Sequence, residues 1–464
     1  MRAMPELPIP MLSILGFPSA AESEITATIL HLLLQLAVIL IAAKVAGELA
    51  LRLLRAPPVL AELAAGVIIG PYALGSMPIP GFGPLFALPE GAAHGGLPVG
   101  SELFALAQLG SIVLLFRVGL ETDLKQFLTY AGPGTAVAMG GVVLPFALGV
   151  AATIFLGFAG PEGIWSPEAL FMGAIMTATS VGITARVLGD INRLETPEGL
   201  TVIAAAVVDD VLSILVLTVV AGINAANAAA TGISLTGVAW VAFKAVAFWL
   251  GLSGLGILAS PYIGRFITAF RAPGASVALT VALALLAAGL AQSFGLAFII
   301  GAFSIGLALS RTDLGLRVEQ ALTPVAEVLV PVFFVVMGML VDVRAMQGAV
   351  AFGLLISALA VLGKALGAGL PALVTGFNTR GAIRIGAGMV PRGEVALIIA
   401  GVGLSQEIIG QDLFGVSIMM TVITTVVAPV ALVPLFRRGG GGLRRPPPPW
   451  TASRPPTAPP HAAH

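Results

Sequence analysis

Apolar stretches of roughly 18 to 28 residues follow one another along nearly the whole of this 464-residue chain, separated only by short runs of Gly, Pro and charge. In lipid, a helix is the one spanning element that satisfies its backbone N–H and C=O groups within a single segment, so the expected fold is an all-α polytopic membrane protein. Composition agrees: 58% of residues are hydrophobic, 10% are charged and the mean hydropathy is +1.03, whereas about a quarter of a soluble chain is charged. A formal net charge of zero points to no nucleic-acid partner, and the lack of cysteine excludes disulfides, thiolate metal sites and thiol catalysis. The stretch Met11–Phe17 is short, without a strongly basic flank or a clear cleavage site, and is not read as a signal peptide.

Thirteen spans are expected, at about 25–53, 57–75, 102–120, 129–158, 167–188, 199–222, 237–258, 274–293, 295–310, 322–341, 349–376, 383–404 and 411–436. The distribution of basic residues tests this count, because cytoplasmic loops carry excess Lys and Arg. Alternate loops with the span ends that border them, starting at the end of the first span, hold sixteen basic residues, from Arg52 and Arg55 through Arg380 and Arg384 to Arg454. The opposite loops and the N-terminus hold only Arg2 and Arg344, which predicts an external N-terminus and a cytoplasmic C-terminus.

Two aspartates, Asp209 and Asp210, stand side by side in the apolar run TVIAAAVVDDVLSILVLTVV, near the bilayer midplane of the expected helix. Each costs about 2.5 to 3.5 kcal/mol there on insertion scales, so the pair implies a role in ion or proton movement. The remaining five basic residues fall within spans. Lys44 and Lys244 lie near span ends and can snorkel to the interface, and Arg117 closes its span. Lys364 and Arg392 lie deep and need internal partners, Arg392 alongside Glu394 in MVPRGEVALIIAG. Burial disfavours the charged form of a lysine and a neighbouring carboxylate restores it, which suits Lys364 to proton handling. Successive helix residues point about 100° apart, so one aspartate can face Lys364 while the other faces a cavity. The alternative is an inert buried ion pair, although such pairs add little stability.

Within 167–188 the cluster MTATSVGIT places Thr177, Thr179, Ser180, Gly182 and Thr184 in an otherwise apolar segment. Hydroxyls and small residues there permit an unwound break that presents half-helix ends to an ion, or alternatively close helix packing. Span 383–404 is interrupted at Val390-Pro391-Arg392-Gly393. Paired breaks in the two halves predict inverted repeats, with spans four to six mirroring spans eleven to thirteen.

These residues resemble the monovalent cation/proton antiporters, specifically the bacterial subfamily of NapA-like and Kef-like sodium/proton transporters. The resemblance covers nearly all of 25–437 and rests on ordered motifs: PPVLAELAAGVIIGP from Pro57, LGSIVLLFRVGLETDL from Leu109, TATSVGITARVLGD from Thr177, AAVVDDVLSILVL from Ala205, GAFSIGLALS from Gly301, PVFFVVMGMLVD from Pro331 and PRGEVALIIAG from Pro391. It implies a homodimer in a bacterial inner membrane, with a core domain of two crossed, broken helices (about 129–222 and 349–437), a dimerisation domain (about 25–120 and 274–341) and a linker helix (about 237–258). Residues 1–24 then form an N-terminal segment, and the Pro/Gly-rich 438–464 a disordered cytoplasmic tail. By resemblance Asp210 binds the cation or proton, Asp209 is its neighbour and pairs with Lys364 when no cation is bound, Thr179 and Ser180 belong to the unwound segment, and Arg392 and Glu394 are functionally sensitive. We assign the last two to holding the broken helix together.

Two acids plus a lysine resemble electrogenic sodium/proton exchange, two protons for one sodium, by an elevator-type motion. About 27 residues follow the last span, so no nucleotide-binding regulatory domain of the Kef type is expected. The implied cargo is sodium, lithium or potassium against protons, with no cofactor and no enzymatic step. A potassium/proton antiporter of the same fold is the alternative. A cation channel fits less well, since a basic residue at the centre opposes cation flow. An intramembrane hydrolase needs facing carboxylates, which adjacent residues on one helix do not supply. His31, His94, His461 and His464 show no metal-ligand spacing.

Overall fold

The long apolar runs fold as helices throughout the computed structural model, which describes residues 20–54, 58–79, 83–89, 97–229, 235–294, 296–342, 350–405 and 408–445. In chain order the helices are α1 (Ala20–Leu49, continued by a π turn, Ala50–Leu54), α2 (Pro58–Ile69), α3 (Ser101–Glu121), α4 (Leu124–Phe155), α5 (Pro167–Thr177), α6 (Val181–Asp190), α7 (Pro197–Ala229) and α8 (Leu235–Thr268). They continue as α9 (Ala275–Ser293), α10 (Phe298–Leu309), α11 (Asp313–Met339), α12 (Val350–Val374), α13 (Thr379–Gly388), α14 (Glu394–Ser405) and α15 (Gln411–Arg437). A two-residue hairpin, Pro78–Ile79 with Gly83–Pro84, is the one sheet among the described residues.

Eleven stretches among the described residues are long and apolar enough to cross a bilayer, with α5 and α6 counted as one. The two other expected spans fall on α10, which has 12 residues, and on α13 with α14, which have 10 and 12. Twelve residues at a 1.5 Å rise reach about 18 Å, short of the roughly 30 Å hydrocarbon core. Boundaries also move where capping rather than hydropathy decides them. Helix α4 starts five residues before the expected 129 because the Asp123 carboxylate accepts from Gln126 N at 2.9 Å, and α11 starts well before 322 because Thr312 Oγ1 accepts from Gly315 N at 3.0 Å.

Packing divides the helices into two groups. Helices α1, α2, α3, α9, α10 and α11 pack on one another, with α8 against α10; α4, α5, α7, α12, α13, α14 and α15 form the second group. Paired glycines allow backbone approach within the first: a Cβ on Gly66 of α2 would lie 2.9 Å from Gly338 Cα of α11. Helix α6 touches α2 and α3 across the seam. In the apolar windows of α1 and α8 only 11% of residues are buried within the chain, against 94% for α5 with α6. Those outer helices therefore present their apolar surface outward, while the interrupted helix is enclosed by protein.

The tail departs from its expected disorder over its first residues. After α15 the chain turns back and pairs with the α12–α13 connection: Asn378 N donates to Gly442 O at 2.8 Å, Arg444 N donates to Gly376 O at 3.0 Å, and Phe377 and Leu443 form an antiparallel bridge. Hydrogen bonding of this backbone, which Pro/Gly content does not reveal, orders 439–444. Residues 446–464 lie outside the described residues.

Candidate cation and proton site

Two helix breaks meet in the middle of the second group. The first separates α5, ending at Thr177, from α6, starting at Val181; the second separates α13, ending at Gly388, from α14, starting at Glu394. Each leaves backbone carbonyls without a partner in their own helix, and all of these lie in protein away from water. Pro391 has no N–H to offer.

Side chains and backbone from the opposite break fill these positions. Ser180 N donates to Pro391 O at 2.8 Å, Thr184 Oγ1 to Gly388 O at 2.6 Å and Thr179 Oγ1 to Met389 O at 3.4 Å. In return the Arg392 guanidinium, fully buried, donates from Nη2 to Met176 O at 2.6 Å and from Nη1 to Val390 O at 2.7 Å. Thr425 Oγ1 of α15 donates to Arg392 O. Arg392 thus ties the two breaks together. Glu394, the other residue expected to support the broken helix, opens α14, and its side chain lies outside the described ones.

Lys364 of α12 enters from the side. Its Nζ is 2.7 Å from Asp209 Oδ1 and 2.6 Å from Thr177 O, and both Lys364 and Asp209 are fully buried. Gly141 of α4 lies beside it, where a Cβ would be in ordinary contact with Nζ at 3.6 Å. Thr179 also faces the Asp209 carboxylate. Asp209 Oδ2 and Ser180 Oγ are buried and have no hydrogen-bond partner among the described residues. Asp210, 3% exposed, sits about 100° further round α7. Ser213, one turn beyond Asp209, extends the polar cluster, its Oγ lying 3.4 Å from Thr177 Oγ1. Ser213 and Thr425 were not singled out from the sequence; a hydroxyl one turn from a buried acid was the signal for Ser213.

The structure therefore brings Asp209, Lys364, Thr179 and Arg392 into one cluster, with Asp210 and Ser180 at its margin. Replacing a buried ion pair by apolar residues is often neutral or stabilising, so stability alone does not account for this one. What the cluster offers chemically is a cationic group resting on a carboxylate and a backbone carbonyl, the oxygen types a hard cation also takes.

Comparison with known proteins is consistent across most of the chain. The profile of the transmembrane sodium/hydrogen exchanger family matches residues 36–438. The chain is similar to the high-affinity Na(+)/H(+) antiporter NhaS3 of Synechocystis, at 36% identity over 92% of this chain and 94% of that protein. It is also similar to the Na(+)/H(+)-K(+) antiporter GerN of Bacillus cereus, at 35% identity over 85% of this chain and 94% of that one. Among solved structures, the sodium proton antiporter MjNhaP1 of Methanocaldococcus jannaschii at pH 8 aligns with a TM-score of 0.59 and 18% identity, covering 86% of this chain and 96% of that one, a likeness of fold.

Proposed function

This chain belongs to the sodium/hydrogen exchanger family of monovalent cation/proton antiporters, and on that premise we propose that it exchanges sodium for protons electrogenically, two protons per sodium. One observation carries the reading: Lys364 Nζ rests on Asp209 Oδ1 at 2.7 Å and Thr177 O at 2.6 Å, so a protonated lysine occupies oxygens that a cation would need. Asp210 binds sodium or a proton. Asp209 completes the site with its otherwise unbonded Oδ2, and Thr179 and Ser180 line it. When sodium binds, Asp210 and Lys364 each lose a proton and Lys364 leaves these oxygens; when sodium leaves, Lys364 and Asp210 take up one proton each. Two charges then move one way and one the other, so each cycle carries one net charge and gains about 2.3 kcal/mol per 100 mV of membrane potential.

The site reaches alternate sides by an elevator motion of a core domain (129–222 and 349–437) against a dimerisation domain (25–120 and 274–341), with 237–258 as linker. The two packing groups support that division. We further propose thirteen crossings, a homodimer, a bacterial inner membrane, an external N-terminus and a cytoplasmic C-terminus. Potassium is a second candidate cargo, favoured by the similarity to a relative named as a Na(+)/H(+)-K(+) antiporter.

The test is proton movement in proteoliposomes at clamped voltage with sodium, lithium or potassium added. Wild type should give a sodium-triggered signal that follows voltage, Asp210→Asn should abolish it, and Lys364→Gln should leave exchange that no longer responds to voltage. Unchanged voltage and pH dependence in Lys364→Gln sinks the proton-carrying role of the lysine. A response to potassium alone shifts the cargo to potassium.

A further inference from the structure

At one end of the second packing group, the segment Arg438–Leu443 (RGGGGL) forms a strap with an unusual anchor. Gly439 and Gly440 take left-handed φ of 66° and 77°, which reverses the chain after α15. Arg384, on the second turn of α13 and 5% exposed, then binds four acceptors: Glu198 Oε1 at 2.7 Å, Gly440 O at 2.8 Å, Gly439 O at 2.7 Å and Leu435 O at 3.1 Å. Its guanidinium also lies 4.9 Å from the centre of the Phe436 ring. Gly442 packs so closely that a Cβ there would come 2.8 Å from Gly381 Cα and would collide with the Glu198 carboxylate.

The elements joined here are those that carry the cation site. Glu198 is the second residue of α7, eleven residues before Asp209. Arg384 stands one turn before Gly388, whose carbonyl receives Thr184, while Met389 O receives Thr179. A rigid half-helix of 10 residues therefore connects the latch at one end to the break at the other. A cavity of about 310 Å³ borders the ion pair and is lined also by Arg193, Thr196 and the strap.

We propose that Arg384 is a positioning residue for transport: with Glu198 and the strap 439–442 it fixes α13 against α7, and so sets the affinity of the cation site. The inference rests on the reading of that site given above. Neither helix is held at this height by any other ion pair among the described residues.

The experiment compares the full chain with chains ending at Arg445 and at Arg437 and with Gly440→Val and Arg384→Lys, by cation titration in proteoliposomes and by amide hydrogen exchange over 379–390. The chain ending at Arg445 should match the full chain. Loss of the strap, or Gly440→Val, should raise half-saturating sodium about five- to twentyfold with the maximal rate kept within about twofold. Exchange over 379–390 should accelerate about tenfold in the same variants. Arg384→Lys keeps one charged contact but loses the fork that reaches the strap, and should fall between. The proposal is overturned by unchanged half-saturation, or by affinity, maximal rate and thermal stability falling together in every strap variant. If the full chain moves potassium and not sodium, the sodium reading fails and the same shift is expected in the potassium titration. If it moves neither, the latch stands or falls on hydrogen exchange alone.

Discussion

The two helix breaks face each other with complementary chemistry. The first, between α5 and α6, contributes hydroxyls and a backbone N–H, and its own exposed carbonyls, Met176 O and Thr177 O, are both taken by cationic side chains. The second, between α13 and α14, contributes a guanidinium that takes Val390 O within the same break, and its carbonyls at Gly388, Met389, Pro391 and Arg392 are taken by neutral donors from Thr184, Thr179, Ser180 and Thr425. A neutral donor fixed in a helix is a permanent cap. Of the two cations at the first break, Arg392 presents a guanidinium and Lys364 an ammonium, which as a chemical group gives up a proton more readily. On the proposed mechanism, the second break is a fixed scaffold and the variable element lies at the first, where Thr177 O and Asp209 share one partner, Lys364.

The most severe way to break this comparison is to remove the shared tie. Arg392→Ala deletes two charge-assisted hydrogen bonds and leaves Met176 O and Val390 O buried without donors. At about 1.5 to 3 kcal/mol each, the loss approaches about 3 to 6 kcal/mol, a large part of a typical stability margin. The expected result is a sharp fall in folded yield and in the detergent melting temperature, whichever cation is present. Arg392→Ala protein that melts like wild type while transporting poorly would mean that the guanidinium acts on the cargo and not as a scaffold.

Much of this site is legible in the sequence, because charge in an apolar run stands out by its cost. Asp209, Asp210, Lys364 and Arg392 are visible for that reason, and the breaks for their hydroxyls and for Val390-Pro391-Arg392-Gly393. The same rule applies to Glu62 in the less apolar run 57–75; it is 2% exposed in α2, with Arg186, Asp190 and Lys44 as its charged neighbours, and in the sequence it reads only as part of a longer motif. Which carbonyl each cation reaches is not legible, since Lys364 and Thr177 are 187 residues apart and no periodicity links them. Glu198 and Arg384 are invisible for a different reason. Each lies within the first two turns of its helix, close to an expected span end where charge is unremarkable, and their pairing with each other and with 439–442 is set by the tertiary fold. The strap itself reads as disorder because its order comes from backbone pairing with Gly376 and Asn378, which composition does not encode.

A smaller perturbation tests how tightly the breaks fit. A Cβ on Gly393 would lie 2.7 Å from Ser180 Oγ and 2.9 Å from Ser180 Cβ, so Gly393→Ala forces one break away from the other. Overpacking of this kind costs about 1 to 3 kcal/mol. Ser180→Gly should relieve it, and a double-mutant cycle read by thermal melting should give a coupling of about 1 kcal/mol. Additive effects would show that the two breaks move independently, against the picture of a single scaffold.

The mildest test separates the hydroxyls from one another. Thr184→Val keeps the shape of the side chain and removes the donor to Gly388 O at 2.6 Å, leaving a buried carbonyl unsatisfied, for about 1 to 3 kcal/mol. Thr179→Val removes a 3.4 Å contact to Met389 O, long enough that its loss should cost well under about 1 kcal/mol. Stability should therefore fall more in Thr184→Val, while half-saturating sodium should shift more in Thr179→Val, because Thr179 faces the Asp209 carboxylate and Thr184 lies a turn and more away along α6. If both quantities follow Thr184, the hydroxyl cluster is scaffold throughout, and the variable part of the site narrows to Lys364 and the two aspartates.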